Sequence, residues 1–96
     1  MQLRSTYHRT SVSIIYQLSC YDLSGAIKPN YEFLSKDCRS LHQAKILGTK
    51  FCKKYRQIHN RSTMYLITSC LKHDNHLSDF RTEYQRNFDV ESIKLA

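Results

Sequence analysis

The chain has 96 residues, 41% hydrophobic and 24% charged, with 15 Lys and Arg against 8 Asp and Glu and a formal net charge of +7. That length suits one domain over 1–96 built on one sheet-and-helix core, and a single Pro with two Gly leaves little room for linkers. No apolar run approaches the roughly 20 residues a membrane-spanning helix needs, which excludes one.

Residues 1–21 carry Arg4 and Arg9, several Ser and Thr, and no acid, a composition shared with transit peptides. The stretch 11–21 nevertheless alternates instead of following a helical period, so it is read as a strand of the mature protein. Val12, Ile14, Tyr16, Leu18 and Cys20 fall on one side, and Ser13, Ile15, Gln17, Ser19 and Tyr21 on the other. Turn chemistry at 22–25 and at Pro29-Asn30 leads to a second, shorter strand at 31–35, in which Tyr31 and Phe33 share a face, and the two strands form a hairpin. Ser40 stands three positions before Gln43, the capping-box arrangement that opens a helix.

On that helix Leu41, Ala44, Leu47, Gly48, Phe51, Tyr55 and Ile58 form an apolar stripe with Cys52 at its margin. His42, Thr49, Lys50, Lys53, Arg56 and Gln57 lie opposite, and Lys45 and Lys54 flank the boundary. A glycine inside a helix costs about 1 kcal/mol relative to Ala, so the expected use of Gly48 is a close approach of helix to sheet. Asn60 closes the helix, and 63–71 returns to strand character as the central strand, with Met64, Leu66, Thr68 and Cys70 on one face and Tyr65, Ile67, Ser69 and Leu71 on the other. After a turn at 72–76, the segment 80–85 alternates as an edge strand does. Phe80, Tyr84 and Phe88 also keep helical spacing behind Ser78, and strand is the reading taken. A last strand at 90–95 completes an α+β fold: an antiparallel sheet of four to five strands packed on one helix, with a ββαβ core.

Charge is unevenly distributed. Residues 1–37 carry a net +1, residues 38–73 carry +8 with no acid, and residues 74–96 carry −2. A one-signed block of this kind suits phosphate or an acidic protein surface, although a merely solvated basic helix is the commoner arrangement. Lys53, Lys54, Arg56 and His59 near the carboxyl end suit the helix dipole, a reason that does not reach Arg39, Lys45 or Lys50. Ile46, an apolar residue amid the charged face, resembles the centre of a contact surface. The candidate contact set is Arg39, Lys45, Ile46, Lys50, Lys53, Lys54, Arg56 and Arg61. Tyr21 and Tyr65, if on an open sheet face, could instead stack single-stranded bases, with core or edge packing as their plainer role.

The four cysteines, Cys20, Cys38, Cys52 and Cys70, include no CxxC pair and read as reduced, mostly buried thiols of a cytoplasmic protein. Cys70-x-x-His73-x-x-His76 has three ligand types but reads as polar turn residues, so no metal and no cofactor is expected. Asn60-Arg61-Ser62 matches a glycosylation sequon with no signal peptide to bring it to the oligosaccharide machinery. The histidines are dispersed, and there is no paired-carboxylate signature, phosphate loop or nucleophile elbow, which argues against catalysis; a ribonuclease toxin is the enzymatic alternative.

Ser40-Leu41-His42-Gln43-Ala44-Lys45, followed by Thr49-Lys50 and a strand opening Thr63-Met64, resembles small phage-encoded anti-CRISPR proteins of the type I-F inhibitor group over the middle third of the chain. The helix here is longer, and the Trp positions of that group are missing. The resemblance implies a five-stranded antiparallel sheet with one helix, and a protein that docks on a guide-RNA-bearing surveillance complex in the host cytoplasm and prevents target pairing. It also implies that Lys45 and Lys50 match helix lysines facing the partner. The expected function is thus a non-enzymatic inhibitor of a host nucleoprotein machine, with direct DNA or RNA binding as the alternative.

Overall fold

The computed structural model describes residues 12–90. They form β1 (Val12–Asp22), β2 (Tyr31–Cys38), α1 (Leu41–His59), β3 (Thr63–His73) and β4 (His76–Phe88). The four strands make one antiparallel sheet in the order β2-β1-β3-β4, and α1 packs against it, the α+β arrangement expected from the sequence. The expected fifth strand at 90–95 lies outside the described residues apart from Val90. Among the described residues no helix is long and apolar enough to cross a membrane.

Alternation decides which side of the sheet the helix covers. Leu18, Cys20 and Asp22 of β1 lie opposite Ile67, Tyr65 and Thr63 of β3, and all six are buried under α1. β1 thus follows the predicted face, extended by a carboxylate where an apolar residue would be expected. Tyr65 is 1% exposed, so it packs in the core and not on an open face; Tyr21, the other tyrosine considered for stacking, is on the opposite side of the sheet, paired with Met64. The bulge in the β1–β2 ladder at Cys20/Tyr21 brings both Phe33 and Leu34 against the core.

The helix is held at both ends. The Ser40 hydroxyl accepts from the Gln43 amide at 3.0 Å, and the Gln43 side chain reaches back to the Arg39 amide at 3.4 Å. Asn60 sits in the left-handed region (φ 53°) and donates its amide to the Arg56 carbonyl at 2.7 Å. The most buried helix positions are Ala44, Gly48 and Cys52, an i, i+4, i+8 row. Cys52 is therefore at the centre of the stripe, not its margin, and Ile58, placed in the stripe by its spacing, is 63% exposed along a cleft with Phe33 and Leu34 of the edge strand β2. At Gly48 a Cβ would lie 2.6 Å from the Tyr65 ring, so the absence of a side chain is what lets α1 descend onto β3. Thr63 adds a tether, its hydroxyl donating to the Cys52 carbonyl at 3.2 Å.

β3 and β4 meet in a tight turn at Asp74-Asn75, with His73 opposite His76. The segment that could be read as strand or helix is strand, and longer than 80–85. Register shifts at Ile67/Thr68 and Ser69/Leu71 break its alternation, so Tyr84 packs against the core while Phe80 is exposed.

Candidate contact surface on the helix

With Ala44, Gly48 and Cys52 pointing at the sheet, the 100° step of an α-helix sends Ile46, Lys50, Lys53 and Gln57 to the outer ridge. All four are exposed, Ile46 by 53%. Lys45, half-buried, leans over the β4 side, its ammonium 4.2 Å from the centroid of Tyr84. That ring fixes the lysine by a cation–π contact while leaving its charge at the surface. Lys54, exposed, takes the other side, beside an apolar cleft lined by Phe33, Phe51 and Ile58.

The β4 side is where the surface becomes concave. His42, Lys45, Ile46, Thr49 and Lys50 of α1 face Tyr84 and Arg86 of β4 across a cleft of about 400 Å³. Its floor is fixed by the hydroxyls of Thr49 and Tyr65, 3.2 Å apart. Burial pushes the Tyr65 phenol up from its ordinary pKa, against the opposing effect of that hydrogen bond, so it remains a neutral floor. Arg86 is a member the sequence reading missed. It enters the helix side because it pairs in register with Tyr65, and its guanidinium stacks 4.8 Å from the Phe88 centroid. Its signal was the position two residues before Phe88 on one strand face, hidden by the register shifts upstream.

Three candidates fare differently. Arg56 is half-buried and donates to the Asp89 carbonyl at 3.1 Å, which ties it to the end of β4. Arg39 precedes the helix and lines a separate hollow with Ile14, Asp37 and Lys72. Arg61 leaves the patch altogether: its guanidinium is 3.3 Å from Asp22, the ion pair found among the described residues. Asp22, 1% exposed, also accepts from the Tyr55 hydroxyl at 2.7 Å and from the Ser24 amide and hydroxyl at 2.8 and 2.6 Å. Burial alone would raise its pKa, but the hydrogen bonds from Ser24 and Tyr55, joined by Arg61, outweigh it and hold the carboxyl at about 2.

The four cysteines are free and buried. Contact with Cys52, together with burial, pushes the Cys20 thiol far up, and burial also raises Cys38 and Cys70. Cys20, Cys38 and Cys70, protonated in such surroundings, fill space; Cys52 shifts the other way, its thiol lowered by the contact with Cys20 and by Thr63 against the effect of burial. Cys70 and His73 fall an odd number of residues apart on β3, and among the described residues no three His, Cys, Asp or Glu side chains converge as metal ligands would.

Lys45, Lys50, Lys53 and Lys54 thus project from one helix with no carboxylate within 4 Å among the described residues, joined by Arg86 and with the exposed Ile46 beside Lys45 and Lys50. Compared with known proteins, the chain matches no family model, no curated protein and no solved structure.

Proposed function

We propose that the chain is a non-enzymatic docking protein whose basic helix face engages a nucleic-acid-bearing host assembly and blocks its recognition of a target. The resemblance of 40–50 and 63–64 to type I-F anti-CRISPR proteins puts a CRISPR surveillance complex first among such assemblies. The observation that carries this reading is the acid-free face of α1, where Lys45, Lys50 and Lys53 share the surface with the exposed Ile46 without a counter-charge from any described carboxylate. Cations left in this state cost self-repulsion, which an anionic partner relieves, while the apolar centre supplies contact area.

The test measures target-DNA capture by a purified type I-F surveillance complex titrated with this protein. Wild type is expected to abolish capture near stoichiometry, and K45E/K50E/K53E to leave it intact. Undiminished capture with folded wild-type protein, or equal inhibition by the folded triple variant, overturns the reading.

A further inference from the structure

The ridge of α1 has a composition that phosphate binding alone does not require. Along its crest run Gln43, Ile46, Lys50, Lys53 and Gln57, all exposed, so two amides and an aliphatic side chain flank a pair of cations. Phosphate neutralisation needs only charge; amides and aliphatic groups at the crest are what reading base edges needs. The cations beside the crest are set on both sides, Lys45 and Arg86 over β4 and Lys54 over β2.

From this arrangement we infer that α1 enters the major groove of B-form DNA. This rests on the basic face being the docking surface, and it names what that face touches. A helix with side chains is about 10–12 Å across, and the B-DNA major groove is about 12 Å wide and 8.5 Å deep, so the outer half of α1 fits. From Gln43 to Gln57 the crest runs about 21 Å, a little over half a turn of duplex. Lys45 with Arg86 and Lys54 then stand against the phosphates of opposite groove walls. On the crest, the glutamines match adenine edges and the lysines guanine edges. Ile46 gains a partner that no phosphate offers, the 5-methyl group of thymine. Acids near the helix lie off the crest: Asp22 is buried with Tyr55 and Arg61 bonded to it, Glu83 is bonded to the Ser69 hydroxyl at 2.7 Å, and Asp89 follows the end of β4.

The probe is a fluorescein-labelled 24-bp alternating A·T DNA duplex, which offers Ile46 a methyl group in every register. It is compared with the same duplex carrying deoxyuridine for thymidine, an RNA duplex of equal length and single-stranded DNA, all by anisotropy with the full chain. Wild type is expected to bind the thymidine duplex, to lose about three- to fourfold on removal of the methyls, and to bind the RNA duplex at least about tenfold more weakly, because the A-form major groove is too narrow for a helix. I46A, at an exposed site, is expected to bind both DNA duplexes equally. Equal wild-type affinity for the thymidine and deoxyuridine duplexes, equal or tighter binding of RNA or single strands, or no DNA binding by folded protein at 50 mM salt overturns the inference. Block of the surveillance complex without duplex binding removes this inference and leaves the proposed function standing; duplex binding as described with target capture undiminished does the reverse.

Discussion

Arg61 and Lys53 come from the same acid-free third of the chain and meet opposite fates. Arg61 is drawn to Asp22, where one carboxylate collects hydrogen bonds from Ser24, Tyr55 and Arg61 below the carboxyl end of the helix. Lys53 stands on the outer ridge with no described carboxylate within 4 Å. The Asp22 hub joins the β1–β2 loop, the helix and the α1–β3 connection, because its partners come one from each. Cations counted along a sequence thus mix two populations. One exists to satisfy a buried acid and the other is left unsatisfied at the surface, and only the second can meet a partner without unfolding anything.

The most severe way to test the first population is Asp22→Ala. The substitution leaves the half-buried Tyr55 hydroxyl and Arg61 guanidinium without their acceptor, and frees the 22–25 turn that Ser24 closes on the carboxylate. Losing a buried acceptor of several hydrogen bonds, one of them from a charged donor, costs about 2–4 kcal/mol, and that loss is expected in urea unfolding at neutral pH. A loss under about 1 kcal/mol would put the hub on the same footing as an ordinary surface pair.

Acid sharpens the same contrast at smaller amplitude. The Asp22 carboxyl is held at about 2 against an ordinary value of 3.8. A depressed pKa means the folded state prefers the ionised form, so the stabilisation is fully present above about pH 5 and is lost as pH falls towards 2. At about 1.4 kcal/mol per unit of pKa the whole shift amounts to about 2.5 kcal/mol, and the part lost by pH 2 to about 2 kcal/mol. The gap in stability between wild type and D22A is therefore expected to be flat from pH 7 to 5 and to narrow by that amount by pH 2. A gap that stays constant to pH 2 would show that the hydrogen bonds do not discriminate between the ionised and protonated carboxyl.

Much of the architecture was legible because it rests on periodicity and local chemistry. The alternation of 11–21, the Ser40/Gln43 cap, Asn60 as a stop and Gly48 as a contact point each follow from residues within a few positions of one another. Tyr65 was harder to place, since both faces of β3 carry apolar residues and only the helix decides which is covered. The misplacement of Ile58 and Cys52 is a rotation of the stripe by part of a turn, which 3.6-residue geometry cannot fix without knowing where the sheet ends. Arg86 and Arg61 depended on long-range pairing. Arg86 required the β3–β4 register with its two shifts, and Arg61 required a carboxylate 39 residues away. Local patterns give no access to either.

The smallest stability effect is predicted for the second population. Lys50 and Lys53 are exposed, three residues apart on one ridge, and Lys54 adjoins them without an acid on the helix to offset the three. Like charges at such spacing repel by a few tenths of a kcal/mol, whereas the loss of lysine's helix propensity on replacement by Ala is nil. Both lysines precede the last turn of α1, where the dipole acts, so only the weak repulsion changes. K50A/K53A is therefore expected to unfold within about 0.5 kcal/mol of wild type at low salt, with the difference vanishing as salt screens the repulsion. Binding to a polyanion should respond quite differently, the slope of log affinity against log salt falling by about one for each lysine removed. A double variant that is unstable, with an unchanged salt slope, would return these lysines to the same structural class as Arg61.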